Sequence, residues 1–295
     1  MTWRTLVTGL ACVGFVACAG AETDLGEAPS ATLADVQSAP DNWRSVDLEN
    51  VVIMDTSKGE IIFELLPEIA PVHVEQFKTY VRSGLYDNTT FHRVIKGFMA
   101  QGGDVQSAHG AEVMQGPMVA EFTARWSPSE RPLDPVGPID SATNGFYKGF
   151  PIQSVAQFMA EMSYDGMVKT WMPHCPGVLS TARTDEEDSA DAQFFIISED
   201  GRHLDKQYTA KGRVLSGMDV VLSIKLGPDP NGSPIANPDV LRSARMAADL
   251  PVEEQPSIYV QKTSTPEWAA LLSAADNAGA DICDLPAVPA IIDRG

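Results

Sequence analysis

The sequence predicts a mainly β fold, and three stretches carry that prediction. Val51 to Thr56 and Glu60 to Leu65 are apolar, β-rich runs on either side of Ser57-Lys58-Gly59, the pattern of a hairpin. Gln193-Phe194-Phe195-Ile196-Ile197-Ser198 is apolar at both parities, as in a strand buried on both faces. Phe91-His92-Arg93-Val94-Ile95-Lys96-Gly97-Phe98-Met99-Ala100-Gln101-Gly102-Gly103-Asp104 mixes an arginine, an amide and large apolar side chains, then stops in a Gly-Gly turn. Strict alternation cannot bring Arg93 and Phe98 to one face together with Met99 and Gln101. Gly97 must therefore bend the chain. The product is a concave apolar surface with one cation and one amide beside it.

The elements follow in order. Residues 1–21 read as an export signal, with Arg4 ahead of a mostly apolar stretch from Leu6 to Ala17 that is too short to span a membrane. Two processing routes stay open. Ala19-Gly20-Ala21 is a small-x-small site that frees a soluble protein beginning at Glu22. Phe15-Val16-Ala17-Cys18 resembles a bacterial lipoprotein box in which Cys18 carries lipid, although Phe15 is an unusual first residue. Both routes place the chain outside the cytosol, in a bacterial periplasm, with no integral membrane span. Residues 22–48, rich in Ala, Asp, Glu, Pro and Ser, read as a flexible tether.

The main domain is expected over 49–227. After the hairpin, Pro71 opens a helix where its missing N–H costs nothing. Val74, Phe77, Tyr80 and Val81 recur at helical spacing, and Gly84 stands at the stop. Residues 123–173 read as an irregular insert, interrupted by Pro128, Pro132, Pro135, Pro138 and Pro151. Inside it, Ser154-Val155-Ala156-Gln157 fits a capping box. Val155, Phe158, Met159 and Met162 then form a stripe expected to pack on the domain. Arg213-Val214-Leu215 reads as a strand and Asp219 to Leu226 as a helix. The Pro, Gly and Asn content after Gly227 marks a boundary. The remaining 228–295 is expected to pack on the main domain as an α/β extension. Its parts are a helix from Asn237-Pro238 to about Asp249, a strand from Ser257 to Lys262 and a helix capped by Thr265-Pro266. That last helix places Trp268, Leu271, Leu272 and Ala275 on one side and stops at Gly279.

The 295 residues are 44% apolar, enough for a substantial core. A formal charge of −19 argues against nucleic acid, which needs clustered Lys and Arg. Solubility is the plain reading of that acidity. Four cysteines stand at 12, 18, 175 and 283. Signal removal leaves Cys175 and Cys283, plus Cys18 if lipidated. In an oxidising compartment the two pair, or they remain separate thiols. No Cys/His spacing suggests a metal.

The run from Phe91 to Asp104 resembles the signature of the cyclophilin family of peptidyl-prolyl cis-trans isomerases. Two further blocks resemble the family in the same order: Gly177 to Thr184 with Asp188 to Ile197 and Leu204-Asp205, then Gly212-Arg213-Val214 with Gly217 to Val221. The resemblance covers about Val51 to Ile224. It implies a closed eight-stranded antiparallel barrel capped by two helices, acting without cofactor on proline-containing polypeptides, as a monomer. It also assigns roles. Arg93 and Gln101 match the catalytic arginine and the amide that holds the substrate carbonyl. Phe98, Met99, Phe195 and Leu204 match the proline pocket, while Phe194, of opposite parity, belongs to the core. Ala182, Arg183 and Thr184 match the rim along which an extended substrate runs, and Gln193 matches a further site residue. His203 stands where many relatives carry Trp or Phe, and Tyr208 where others carry His or Tyr. A groove that binds partners without turning them over is the competing reading, and the position of Phe158 relative to Arg93 separates the two.

Overall fold

The computed structural model describes residues 30–136, 142–199 and 201–295. The expected signal segment, its two processing sites and Cys18 lie outside the described residues.

The main sheet has nine strands, each antiparallel to its neighbours. Their order is Thr89–Thr90, Val240–Met246, Val51–Thr56, Gly59–Leu65, Thr209–Ser216, Val178–Thr181, Phe194–Ile197, Met99–Gly102 and Arg93–Ile95. The sheet curls into a half-barrel, which corrects the expected closed barrel of eight strands. Its two end strands are separated in the chain only by Phe91 and His92, yet no ladder joins them. The reason lies in what occupies their edges. Phe91 N–H donates to Asp239 O at 2.9 Å, continuing the pairing on one side. On the other, Val94 N–H donates to Gly232 O and Gly227 N–H to Val94 O, both at 2.9 Å, so a loop covers that edge.

Alternate residues of the main sheet serve two cores. Phe194 and Ile196 face Val74, Phe77, Tyr80 and Val81 of the helix Pro71–Arg82. Val221, from the short helix Met218–Ser223, joins the same core. These two are accompanied by four other α-helical segments among the described residues. Phe195 and Ile197 face the opposite core, built with Trp126, Phe146 and Phe150 of the insert and with Ile258, Trp268 and Ile282 of the extension. Burial on both faces explains why that strand has no polar parity.

Residues 123–173 are not an irregular loop. They form a five-stranded antiparallel sheet in the order Ala124–Trp126, Val168–Trp171, Phe150–Val155, Ala142–Tyr147 and Asp134–Val136. The prolines that suggested a loop are tolerated by position. Pro135 lies on an edge strand. Pro151 pairs Phe146, but its strand is bonded on the far side only at Gln153 and Ser154. The hairpin turn is Lys148-Gly149, both at positive φ (53° and 78°), as a tight two-residue connection requires. The expected capping box is absent, because Ser154 and Val155 are strand residues. Only Met159–Met162 is helical there, and the stripe is not packed: Phe158, Met159 and Met162 are exposed.

Residues 30–48 are not a tether. Trp43–Ser45 pairs Ser257–Gln261, which in turn pairs Ala290–Asp293, giving a third sheet. Val36, Trp43 and Val46 are buried. The boundary at 227 is also corrected, since Val240–Met246 is a strand of the main sheet and not a helix. Its alternating burial, with Leu241, Ala244 and Met246 covered, shows a strand period interrupted by one bulge. The last helix, Pro266–Ala278, is as expected. Thr265 Oγ1 accepts from Trp268 N–H, and Gly279 closes it in the left-handed conformation. Trp268 is fully buried with its indole N–H donating to Gln261 Oε1 at 3.0 Å, so its apolar body is covered at no cost to its polar end. Cys175 and Cys283 form a disulfide between the main domain and the extension.

Candidate active site

The signature run folds as a hairpin, Arg93–Ile95 against Met99–Gly102, with Gly97 at φ 69° in the turn. The register sets Arg93 directly opposite Gln101, and Gln101 opposite Phe195 on the next strand. Three side chains from three strands thus meet on one face.

Arg93 Nη1 donates to Gln101 Oε1 at 3.1 Å, and Nε donates to Asn231 O at 3.1 Å. Gln101 Nε2 donates to Gln193 Oε1 at 2.9 Å. The arginine is therefore aimed by two acceptors that carry no charge. No carboxylate pairs with it among the described residues. Beside it, Arg93, Phe98, Met99, Gln101, Ala182, Arg183, Phe195, His203, Leu204 and Tyr208 line a hollow of about 180 Å³. The Phe98 and His203 rings lie 4.9 Å apart, tilted, and Phe195 meets Tyr208 edge-on at 5.7 Å. Arg183 spans the rim, its guanidinium 4.4 Å from the Tyr208 ring centre and its Nε donating to Gln207 O at 3.0 Å. Thr184 and Gln193 stand outside this hollow. They line an adjoining one of about 290 Å³ that shares Gln101, Ala182 and Arg183 with it. The two make a continuous groove along the strand end at 182–184. Among the described residues, none from 123–173 lines either part, and Phe158 lies outside both.

Sequence reasoning missed what holds the His203–Leu204 wall. Asp205 Oδ1 accepts from the backbone N–H of His174 at 2.8 Å and lies 3.1 Å from His174 Nδ1. Its Oδ2 accepts from Arg202 Nε at 2.7 Å. Burial pushes the Asp205 carboxyl up, but these bonds more than offset it and hold it below the ordinary range. Burial lowers the fully buried His174 against the pull of Asp205. The His174 ring lies parallel to Phe195, 6.1 Å away, behind the hollow. Arg202 also donates to Gln153 Oε1 of the insert at 3.0 Å and pairs with Asp281 of the extension. Both decorations thus brace the groove wall from behind. Leu204-Asp205 was visible as a motif, but partners 31 to 79 residues away carry no sequence signal.

A family model of cyclophilin type peptidyl-prolyl cis-trans isomerases matches residues 51–246. The chain belongs to the cyclophilin family. A probable peptidyl-prolyl cis-trans isomerase of Brucella suis biovar 1 is 34% identical over 205 residues, 70% of this cyclophilin and 86% of the relative. Peptidyl-prolyl cis-trans isomerase A of Dickeya dadantii is 31% identical over 204 residues, 66% of this chain and 83% of its own. The crystal structure of cyclophilin AquaCyp293 from Hirschia baltica superposes with a TM-score of 0.83 at 41% identity, covering 90% of this cyclophilin and 98% of that chain. This cyclophilin is a peptidyl-prolyl cis-trans isomerase. The matched span runs through Val240–Met246, in agreement with that strand's place in the main sheet.

Proposed function

We propose that the isomerase acts by stabilising the half-rotated X-Pro amide through Arg93, and that its clients are exported proteins during folding. The uncatalysed barrier of roughly 18–20 kcal/mol comes from amide resonance. Rotation breaks no bond, so the task is to favour the twisted amide over both planar forms. Twisting localises the lone pair on the prolyl nitrogen. A permanently charged guanidinium is the donor suited to that site. One observation supports this reading above others: Arg93 borders the hollow lined by Phe98 and Phe195, held by two neutral acceptors and, among the described residues, paired with no acid. Nη2 and part of Nη1 keep donors to give. In this reading Phe98, Met99, Phe195, His203 and Leu204 enclose the proline ring. Gln101 and Gln193 hold the preceding carbonyl, and Ala182, Arg183 and Thr184 guide the chain.

The test is a peptide isomerisation assay on Arg93→Ala and Arg93→Lys. Losing a donor that acts mainly in the transition state typically costs about 10²–10³ in rate. Such a fall in kcat/KM, with peptide affinity changed little, is the expected result. An Arg93→Ala enzyme as fast as wild type refutes the mechanism and favours a groove that only binds. Export is tested by fractionating cells that make the full chain. Fatty-acid labelling that disappears in Cys18→Ala separates the anchored form from the soluble one.

A further inference from the structure

A second cavity of about 290 Å³ lies between the main sheet, the insert turn at Gly149 and the stretch from Ile282 to Val288. It shares no lining residue with the isomerase groove. Its walls are largely apolar, including Phe146, Val178, Leu215, Met218 and Leu285.

One cation lines it. Arg213 is only 5% exposed. Its Nη1 donates to Val288 O at 3.1 Å, and its guanidinium lies 5.4 Å from the Phe150 ring centre. Its Nε and Nη2 are buried and have no hydrogen-bond partner among the described residues. Those two N–H groups form one edge of the guanidinium, the fork that fits both oxygens of a carboxylate. Gly149 keeps the space beside them clear, since a Cβ there would stand 3.1 Å from Nη2.

The surrounding charges do not close the balance. Arg213 faces Glu64 across the ladder. Both Glu64 oxygens are already taken by Arg44, at 2.8 and 2.6 Å. Among the described residues, two guanidinium groups against one carboxylate leave one positive charge under cover. Burial lowers Arg213 to about 10, which still leaves it charged at neutral pH. A buried charge without a counter-ion is costly, and buried donors are nearly always satisfied.

We propose that this cavity is a second binding site, for a small monocarboxylate with an apolar tail gripped side-on by Nε and Nη2 of Arg213. The carboxylate supplies the missing charge and both missing acceptors. The tail fills the apolar remainder, whose size lies at the small end of ligand pockets, roughly 300–1,000 Å³. A bare phosphate satisfies the fork but leaves those walls unfilled. A free fatty acid and the carboxyl end of an apolar peptide share the required chemistry.

Calorimetric titration of the whole protein with octanoate and with N-acetyl-leucine separates those two sources. Octylamine and octanol carry the tail without the carboxylate. One molecule of octanoate or of N-acetyl-leucine should bind per chain, and neither control should bind. Arg213→Gln should weaken binding by at least about tenfold, as for loss of a charge-assisted pair. Leu215→Trp keeps the cation and fills the cavity, and should abolish binding even if Arg213→Gln does not fold. Isomerisation within about twofold of wild type serves as the check that each variant is folded. Three results overturn the proposal: no binding of either carboxylate at millimolar concentration, octanol or octylamine binding as well as octanoate, or wild-type affinity in Leu215→Trp.

Discussion

Replacing Lys211 with methionine should stabilise this protein, by an amount that shrinks as pH rises. Lys211 is 1% exposed on the strand Thr209–Ser216. Its Nζ donates to Thr181 Oγ1 at 2.8 Å and lies 4.2 Å from the centre of the Phe77 ring. No carboxylate pairs with it among the described residues. Burial lowers its pKa from 10.5 to about 7, while the face of Phe77 favours the ammonium and opposes that shift. Between these values the unfolded chain holds a proton that the folded one has lost, so wild-type stability rises with pH across this window. Methionine has similar bulk and no such slope. A pKa lowered from 10.5 to about 7, at about 1.4 kcal/mol for each tenfold change in proton affinity, sets a ceiling of about 5 kcal/mol on the change in the stability difference.

Two neighbouring titratable groups are present in both proteins. His73, whose Nδ1 lies 3.1 Å from the same Thr181 hydroxyl, is lowered to about 4 by burial and then by Lys211. Glu121 accepts from the backbone N–H groups of Val72 and His73, and burial raises its carboxyl. The folded His73 therefore stays neutral throughout the window, and Glu121 is common to both proteins. Urea unfolding of both proteins at several pH values from 6.5 to 10.5 measures the difference. The variant should be ahead at pH 6.5 and lose most of that lead by 10.5. A lead that does not vary with pH refutes the reasoning, because Lys211 would then titrate alike in both states.

Three other outcomes are expected. Gly103 has φ 74°, and a Cβ there would stand 2.7 Å from the Phe194 ring and 2.8 Å from that of Tyr86, so Gly103→Ala should cost about 2–4 kcal/mol in urea unfolding. A loss under about 1 kcal/mol counts against that crowding. Cys283→Ser opens a cross-link spanning 108 residues and should lower stability by about 2–4 kcal/mol while leaving the kcat/KM of the folded enzyme unchanged. Unaltered stability would mean that packing alone holds the extension. His203→Trp enlarges the ring against Phe98, so inhibition by a drug-like cyclic peptide should change more than peptide turnover, and equal inhibition of both proteins sinks that expectation.

Where sequence pattern and structure differ, a competing physical effect is at work. The prolines of 123–173 look like breakers, yet Pro135 sits on a sheet edge and Pro151 where its strand needs no further donor. The informative signal was Tyr147-Lys148-Gly149-Phe150, a turn pair between two apolar runs. Residues 30–48 lack apolar periodicity because only Val36, Trp43 and Val46 are buried, and their partners are about 200 residues away. The sequence of Val240–Met246 suggests a helix because Asn237-Pro238 imitates a cap, whereas its bulge blurs the strand alternation.

The sequence alone determined the signature hairpin, the family and the residues that line the hollow beside Arg93. Spacing and turn chemistry are local properties: Gly97 turns the chain and register does the rest, setting Arg93 against Gln101. Tertiary structure alone decided that the half-barrel stays open, that the insert and extension form sheets backing the groove, and that Arg213 and Lys211 are buried with no carboxylate of their own among the described residues. Those properties depend on contacts between distant segments. Charge balance in particular is a sum over neighbours in space, and no window along the chain contains it.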